Sequence, residues 1–201
     1  MGRNSAGVRA GTNDGSGQYK GKISNEGSLV EMKDKAMYKA TKQAISRYHA
    51  VMGVRQRNVK LADLDGSAYG VHVTRGGQSE AVYLNRKHFD TGAKNVHKVH
   101  ANNYKTGWST KTNKPVAHTV THELAHATWN AHMTSPNQRA AGKEIEKLYK
   151  KWSNDKRKKG YGKYAETNVS EFWAETVTKA VHGKSDKYTR TVKDIAKKYK
   201  L

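Results

Sequence analysis

The chain contains no cysteine, which excludes disulfides and thiolate metal sites, so any metal would have to be held by histidines and carboxylates. No apolar run is long enough to cross a bilayer. The opening residues Met1-Gly2-Arg3-Asn4-Ser5 lack the apolar core of a signal peptide, so export by a standard signal is not expected. Acidic residues are scarce: 17 Asp and Glu stand against 38 Lys and Arg, a formal net charge of +21 over 201 residues. Such a surplus favours contact with nucleic acid or another polyanion, although a solvated lysine coat gives the same composition. No sequence-reading nucleic-acid motif is present, so any such contact is expected to be with phosphates and non-specific. Hydrophobic residues make up only 35%, which still permits a modest core in one domain of ordinary size.

Residues 1–27 are rich in Gly, Ser and Asn and read as a flexible basic arm; residues 28–201 read as the folded domain. From Ser28, apolar positions from Leu29 through Met37, Ala44 and Tyr48 to Met52 recur at steps of three and four, predicting a helix closed by Gly53. Three strands are expected at Val59–Leu64, Tyr69–Thr74 and Ala81–Leu84, punctuated by Asp65-Gly66 and Gly76-Gly77 as hairpin turns. They predict a small antiparallel sheet. Residues 86–114 read as polar and irregular, with His88, His97 and His100 exposed. The two prolines, Pro115 and Pro136, suit the first turns of two further helices. Beyond the second of these, Lys156-Arg157-Lys158-Lys159 reads as an exposed basic loop. Asn168 then begins a capped helix, and a last helix covers about Lys187–Tyr199.

His122-Glu123-Leu124-Ala125-His126 reads H-E-x-x-H on the helix that Pro115 opens. Residues four apart lie about 40° apart around a helix, so both imidazoles project from one face and can grip one zinc ion. Glu123 sits beside that face, offset from a ligand position but able to reach a metal-held water, where a general base belongs. Val116, Val120, Leu124 and Ala127 supply an opposite apolar face.

A catalytic zinc takes three protein ligands. His118 lies one turn before His122, and three successive turns do not converge easily on one ion; it is expected to be a neighbour. His132 lies six beyond His126, the spacing of the metzincin pattern, but that pattern turns at a glycine where this chain has Trp129. It remains the alternative metal ligand. Glu171 is preferred. Glu171 and Glu175 are four apart on one helix face, so one carboxylate can bind zinc while the other accepts the free N–H of a ligating imidazole.

The H-E-x-x-H helix is followed after some forty-five residues by Tyr164, Asn168, Glu171, Phe172, Ala174 and Glu175, in the arrangement Y-x-x-x-N-x-x-E-F-x-A-E. This combination resembles the gluzincin metallopeptidases, among them the catalytic domain of anthrax lethal factor and metallopeptidase domains of phage minor head proteins. The resemblance covers roughly residues 112–185. It implies a zincin fold, Glu171 as third zinc ligand and Tyr164 as a donor to the transition state. Ala125 stands where the family commonly has Gly, and Trp173 where it commonly has Phe. The N-terminal arm and the charge have no counterpart in the resemblance.

The expectation is therefore a single α+β zincin-like domain that hydrolyses peptide bonds with Zn²⁺, with Glu123 and Tyr164 catalytic, His122, His126 and Glu171 on the metal, and Glu175 behind them. A protein or peptide is the expected substrate, and a host cytoplasm or phage virion the expected location. Two alternatives stay open: a basic DNA-associated virion or structural protein retaining a zinc site, and a zinc hydrolase acting on cell-wall peptide cross-links.

Overall fold

Apolar residues on both faces of a strand mark it for the middle of a sheet, and residues 81–84 (Ala81, Val82, Tyr83, Leu84) are all buried. In the computed structural model, which describes residues 8–9, 21–54, 58–66, 68–75, 78–112, 114–130 and 136–201, this strand is indeed central. The strands are β1 (Val8–Arg9), β2 (Ile23–Ser28), β3 (Val59–Leu64), β4 (Gly70–Arg75) and β5 (Gln78–Asn85), and their order across the sheet is β1-β4-β5-β3-β2.

The sheet is mixed, which corrects the antiparallel expectation. β4 and β5 pair antiparallel, but β5 then lies parallel to β3, with Val59 opposite Val82 and Leu61 opposite Leu84. Asp65-Gly66 therefore ends β3 without folding it back onto β4. Because β5 is apolar on both faces, it takes the place between them. Gly76 and Gly77 lie outside the described residues. β2 occupies the end of the stretch read as a flexible arm. Its sequence, Ile-Ser-Asn-Glu-Gly-Ser, carries almost no apolar signal, and it joins the sheet as an edge through backbone pairing with β3.

The described residues include seven helices: α1 (Lys35–Met52), α2 (Arg86–Phe89), α3 (Ala93–Lys105), α4 (Pro115–Asn130), α5 (Pro136–Ser153), α6 (Val169–His182) and α7 (Lys187–Tyr199). α1 is capped by Asp34, whose carboxylate accepts from the N–H groups of Ala36 and Met37, and it closes at Gly53 in a left-handed conformation (φ 65°). α2 and α3 fill the region read as irregular. On α3, Val96 and His100 are buried one turn apart. His100 is thus a core residue and not an exposed one: its Nε2 meets Thr119 Oγ1 at 2.8 Å, and burial, helped by the charge of His118, lowers its pKa to about 3.

One sheet face, with Leu61, Val82 and Leu84, packs into the helical core; the other buries Ala62, Leu64, Val71, Val73, Ala81 and Tyr83 in a smaller cluster. α4 lies at the centre, in contact with α1, α3, α6, β4 and β5. Val120, Leu124 and Ala127 are fully buried, and the histidine face is buried as well. That face is covered by α6 and by the turn that precedes it, whose Tyr164 stacks on His122.

Candidate metal centre

Three histidines stand one turn apart along α4: His118, His122 and His126. α6 crosses them with two carboxylates, also one turn apart. The crossing is held by side chains reaching backbone. Trp173 Nε1 donates to the Ala125 carbonyl at 3.0 Å, and from the other side the Tyr48 hydroxyl donates to the Leu124 carbonyl at 3.1 Å. Trp173 thus does with its indole N–H what a Phe there cannot do. At the start of α6, Asn168 Oδ1 accepts the Glu171 N–H at 2.9 Å, so the cap is supplied by Asn168 and the Glu171 side chain is turned to the histidines.

Glu171 Oε2 lies 3.1 Å from His122 Nε2 and 3.3 Å from His126 Nε2. The two Nε2 atoms are 3.1 Å apart. All three residues are buried, and they form a group able to hold a metal ion. Despite its two close nitrogens, Glu171 Oε2 has no hydrogen-bond partner among the described residues. Each imidazole is oriented from behind: His122 Nδ1 meets Glu175 Oε1 at 3.0 Å, and His126 Nδ1 meets Ser170 Oγ at 3.1 Å.

Glu175 is placed differently. Its Oε1 also meets His118 Nε2 at 3.0 Å, and its Oε2 accepts the Thr110 N–H at 2.6 Å. His118, His122 and Glu175 form a second group with metal-binding geometry. The two groups use opposite nitrogens of the same His122 ring, and only the second has its carboxylate fully hydrogen-bonded.

Burial opposes charge throughout the cluster. At Glu171 the nearby His126 and His122 overcome that cost and bring the pKa down to about 2. Glu175 is held well below the carboxylate range against its burial, mainly by His118. Without metal, His122 is raised well above its ordinary value: burial works against its charge, and the adjoining carboxylates of Glu171 and Glu175 outweigh it. Glu123 goes the other way, raised by burial despite the neighbouring histidines. It is buried, and its Oε2 has no partner among the described residues. Gly70 of β4 makes room for it; a Cβ there would lie 2.7 Å from Glu123 Cγ.

Tyr164 lies in a 3₁₀ turn, Lys163–Glu166, that leads into α6. Its ring stacks on His122, with centroids 5.6 Å apart, and on Trp108 at 5.4 Å. Its hydroxyl hydrogen-bonds the Glu171 carboxylate, and burial together with the surrounding carboxylates raises its pKa, so it stays protonated. Backbone pairing fixes the turn: Tyr164 N–H donates to the Trp108 carbonyl at 2.9 Å. Gly162 permits that approach, because a Cβ there would run into the Trp108 and Ser109 backbone.

The structure thus brings His122, Glu123, His126, Tyr164, Glu171 and Glu175 together. His132 lies outside the described residues; α4 remains helical through Asn130, past the position at which the metzincin pattern turns. Sequence reasoning makes His118 a mere neighbour and misses Thr110 and Ser170. The signal for His118 is its place one turn before His122, on the face that Glu175 meets. For Thr110 and Ser170 the sequence offers none. The chain matches no family model, no curated protein and no solved structure.

Proposed function

We propose that His122, His126 and Glu171 hold one zinc ion and that the protein is a gluzincin-type, zincin-like peptidase. One observation carries this reading. Ligands about 2.0–2.1 Å from a tetrahedral zinc stand about 3.3–3.4 Å from one another. The three ligand atoms form a triangle with edges of 3.1, 3.1 and 3.3 Å, and the carboxylate oxygen at its corner makes no hydrogen bond among the described residues. Hydrogen bonding alone would have used that oxygen, since a buried carboxylate oxygen with no partner is costly.

A zinc ion there would polarise a scissile carbonyl and lower the pKa of its bound water towards about 7. Glu123, offset from the ligand triangle and with a carboxylate oxygen that has no partner among the described residues, would take the water's proton and pass it to the leaving amine. Tyr164, protonated and stacked on His122, would donate a hydrogen bond to the developing oxyanion. Ser170 and Glu175 fix the imidazoles. A purely structural site has no use for a carboxylate with an unpartnered oxygen beside the ligands, which favours hydrolysis over a DNA-associated protein keeping zinc for stability.

The test is metal content and cleavage of a peptide library before and after chelation. One zinc per chain and zinc-restored cleavage are expected. Glu123→Gln should keep the zinc and lose about 10²–10⁴ in kcat; undiminished cleavage by that variant would remove Glu123 from the mechanism. Zinc loss in His132→Ala alone would transfer the third ligand to His132. Cleavage of peptidoglycan stem peptides and not of linear peptides would redirect the substrate to cell-wall cross-links.

A further inference from the structure

A groove of about 860 Å³ opens between the loop after α5, the stretch at 111–112 and the junction of α6 with α7. None of His122, Glu123, His126, Tyr164 or Glu171 lines it, so it is separate from the metal centre. Its lining carries seven Lys and Arg side chains against two carboxylates, Asp155 and Asp186.

Both carboxylates are already committed. Asp155 takes Lys187 Nζ at 2.6 Å and the Tyr188 hydroxyl at 2.7 Å. Asp186 takes Lys179 Nζ at 2.6 Å, the Tyr161 hydroxyl at 3.0 Å and the Thr189 N–H at 2.8 Å. Lys158 pairs with Glu166 outside the groove lining, at 3.4 Å. Four cations remain. Lys111, Lys159 and Lys184 have no carboxylate partner among the described residues, and Arg157, 90% exposed, comes only within 3.8 Å of the occupied Asp155. At the groove wall His182 Nε2 is engaged by Thr121 Oγ1 at 2.8 Å, while its buried Nδ1 has no partner among the described residues.

We propose that this groove binds the phosphodiester backbone of nucleic acid through Lys111, Arg157, Lys159 and Lys184. The cations come from three separate chain segments around one groove, and what they lack is a ligand with several closely spaced negative charges. Duplex DNA presents one charge per about 1.7 Å of axis, a density that can meet several of them at once. A single inorganic phosphate would leave most of the cations unmatched. The carboxylates of the lining, saturated by their own partners, do not compete.

The experiment compares two quadruple variants that lose the same charge. One replaces Lys111, Arg157, Lys159 and Lys184 by Ala. The other replaces Lys39, Lys42, Lys94 and Lys98, exposed lysines of α1 and α3 outside the groove. Fluorescence anisotropy with a labelled 20-base-pair duplex is read from about 50 to 200 mM salt. Binding by the groove variant should be at least tenfold weaker than by the control variant. Its slope of log affinity against log salt should be shallower by up to about 3.6, or ~0.9 for each phosphate it no longer neutralises. All eight positions are exposed, and coincident thermal unfolding of the three proteins checks the fold. Equal losses in the two variants, no binding by the unaltered protein at the low end of salt, or displacement of the duplex as readily by polyglutamate as by unlabelled duplex would each overturn the assignment. Chelator should leave binding unchanged, so the outcome is independent of the zinc reading.

Discussion

Glu171 and Glu175 sit one turn apart on α6, are equally buried, and face the same histidine, yet their surroundings differ. Glu175 is a completed acceptor: two imidazoles and the Thr110 N–H satisfy it. Glu171 has an oxygen between two Nε2 atoms that makes no hydrogen bond with either. The difference teaches how a buried cluster divides its labour. A satisfied carboxylate fixes which nitrogen of His122 carries the proton; an unsatisfied one, beside two lone pairs turned the same way, forms a place for a cation. Metal-free, the cluster keeps three carboxylates and three histidines out of water at a cost that hydrogen bonds only partly offset.

The largest expected effect breaks the comparison at Glu171. Glu171→Ala removes one corner of the triangle, and we expect full loss of stoichiometric zinc and of cleavage, read by metal analysis after dialysis. The fold should persist, since the Asn168 cap uses the backbone N–H of Glu171 and not its side chain. Stoichiometric zinc in this variant would show that the metal uses His118, His122 and Glu175 instead.

Next comes Tyr164, which touches the Glu171 side of the cluster. Tyr164→Phe retains the ring that stacks between Trp108 and His122 and deletes only the hydroxyl. Zinc content should be unchanged, while kcat and kcat/KM fall together by about 10²–10³, as when one oxyanion donor is removed. If Tyr164 only packs, Phe will be nearly silent in steady-state kinetics.

Part of the site behind these two predictions is legible in the sequence, because helical spacing puts His122 with His126 and Glu171 with Glu175; Tyr164 enters only through the gluzincin resemblance. The helices α1, α4, α5, α6 and α7 are legible for the same reason, through apolar periodicity and capping residues. Strand positions can be read too, but not their pairing: nothing local says that β5 inserts between β3 and β4. β2 is illegible because an edge strand held by backbone bonds needs no apolar alternation. α3 is hidden because one of its inward positions is His100, which composition counts as polar and the fold buries. Likewise, no spacing rule could show that the Thr110 N–H, 65 residues away, completes Glu175.

The smallest effect sharpens the comparison from the Glu175 side. Glu175→Gln keeps the size of the side chain and one acceptor oxygen, but it removes the charge and turns an amide NH₂ towards donors. His122 should still coordinate, less firmly oriented, and zinc affinity at neutral pH should fall by about 10–100-fold, the usual cost of losing a carboxylate behind a ligating imidazole. The pH dependence separates this orienting role from simple damage. In the metal-free protein Glu171 and Glu175 raise the His122 pKa, so a proton competes with the metal, and wild-type affinity falls as pH drops through that raised value. Removing the Glu175 charge lowers the His122 pKa. The variant then meets less proton competition, and its affinity declines less as pH falls. Competition titrations with a chromophoric chelator should therefore show the gap between wild type and Glu175→Gln narrowing towards acid pH. A gap that stays constant or widens would mean that Glu175 acts by holding α4 against α6 and not through the charge it directs at His122.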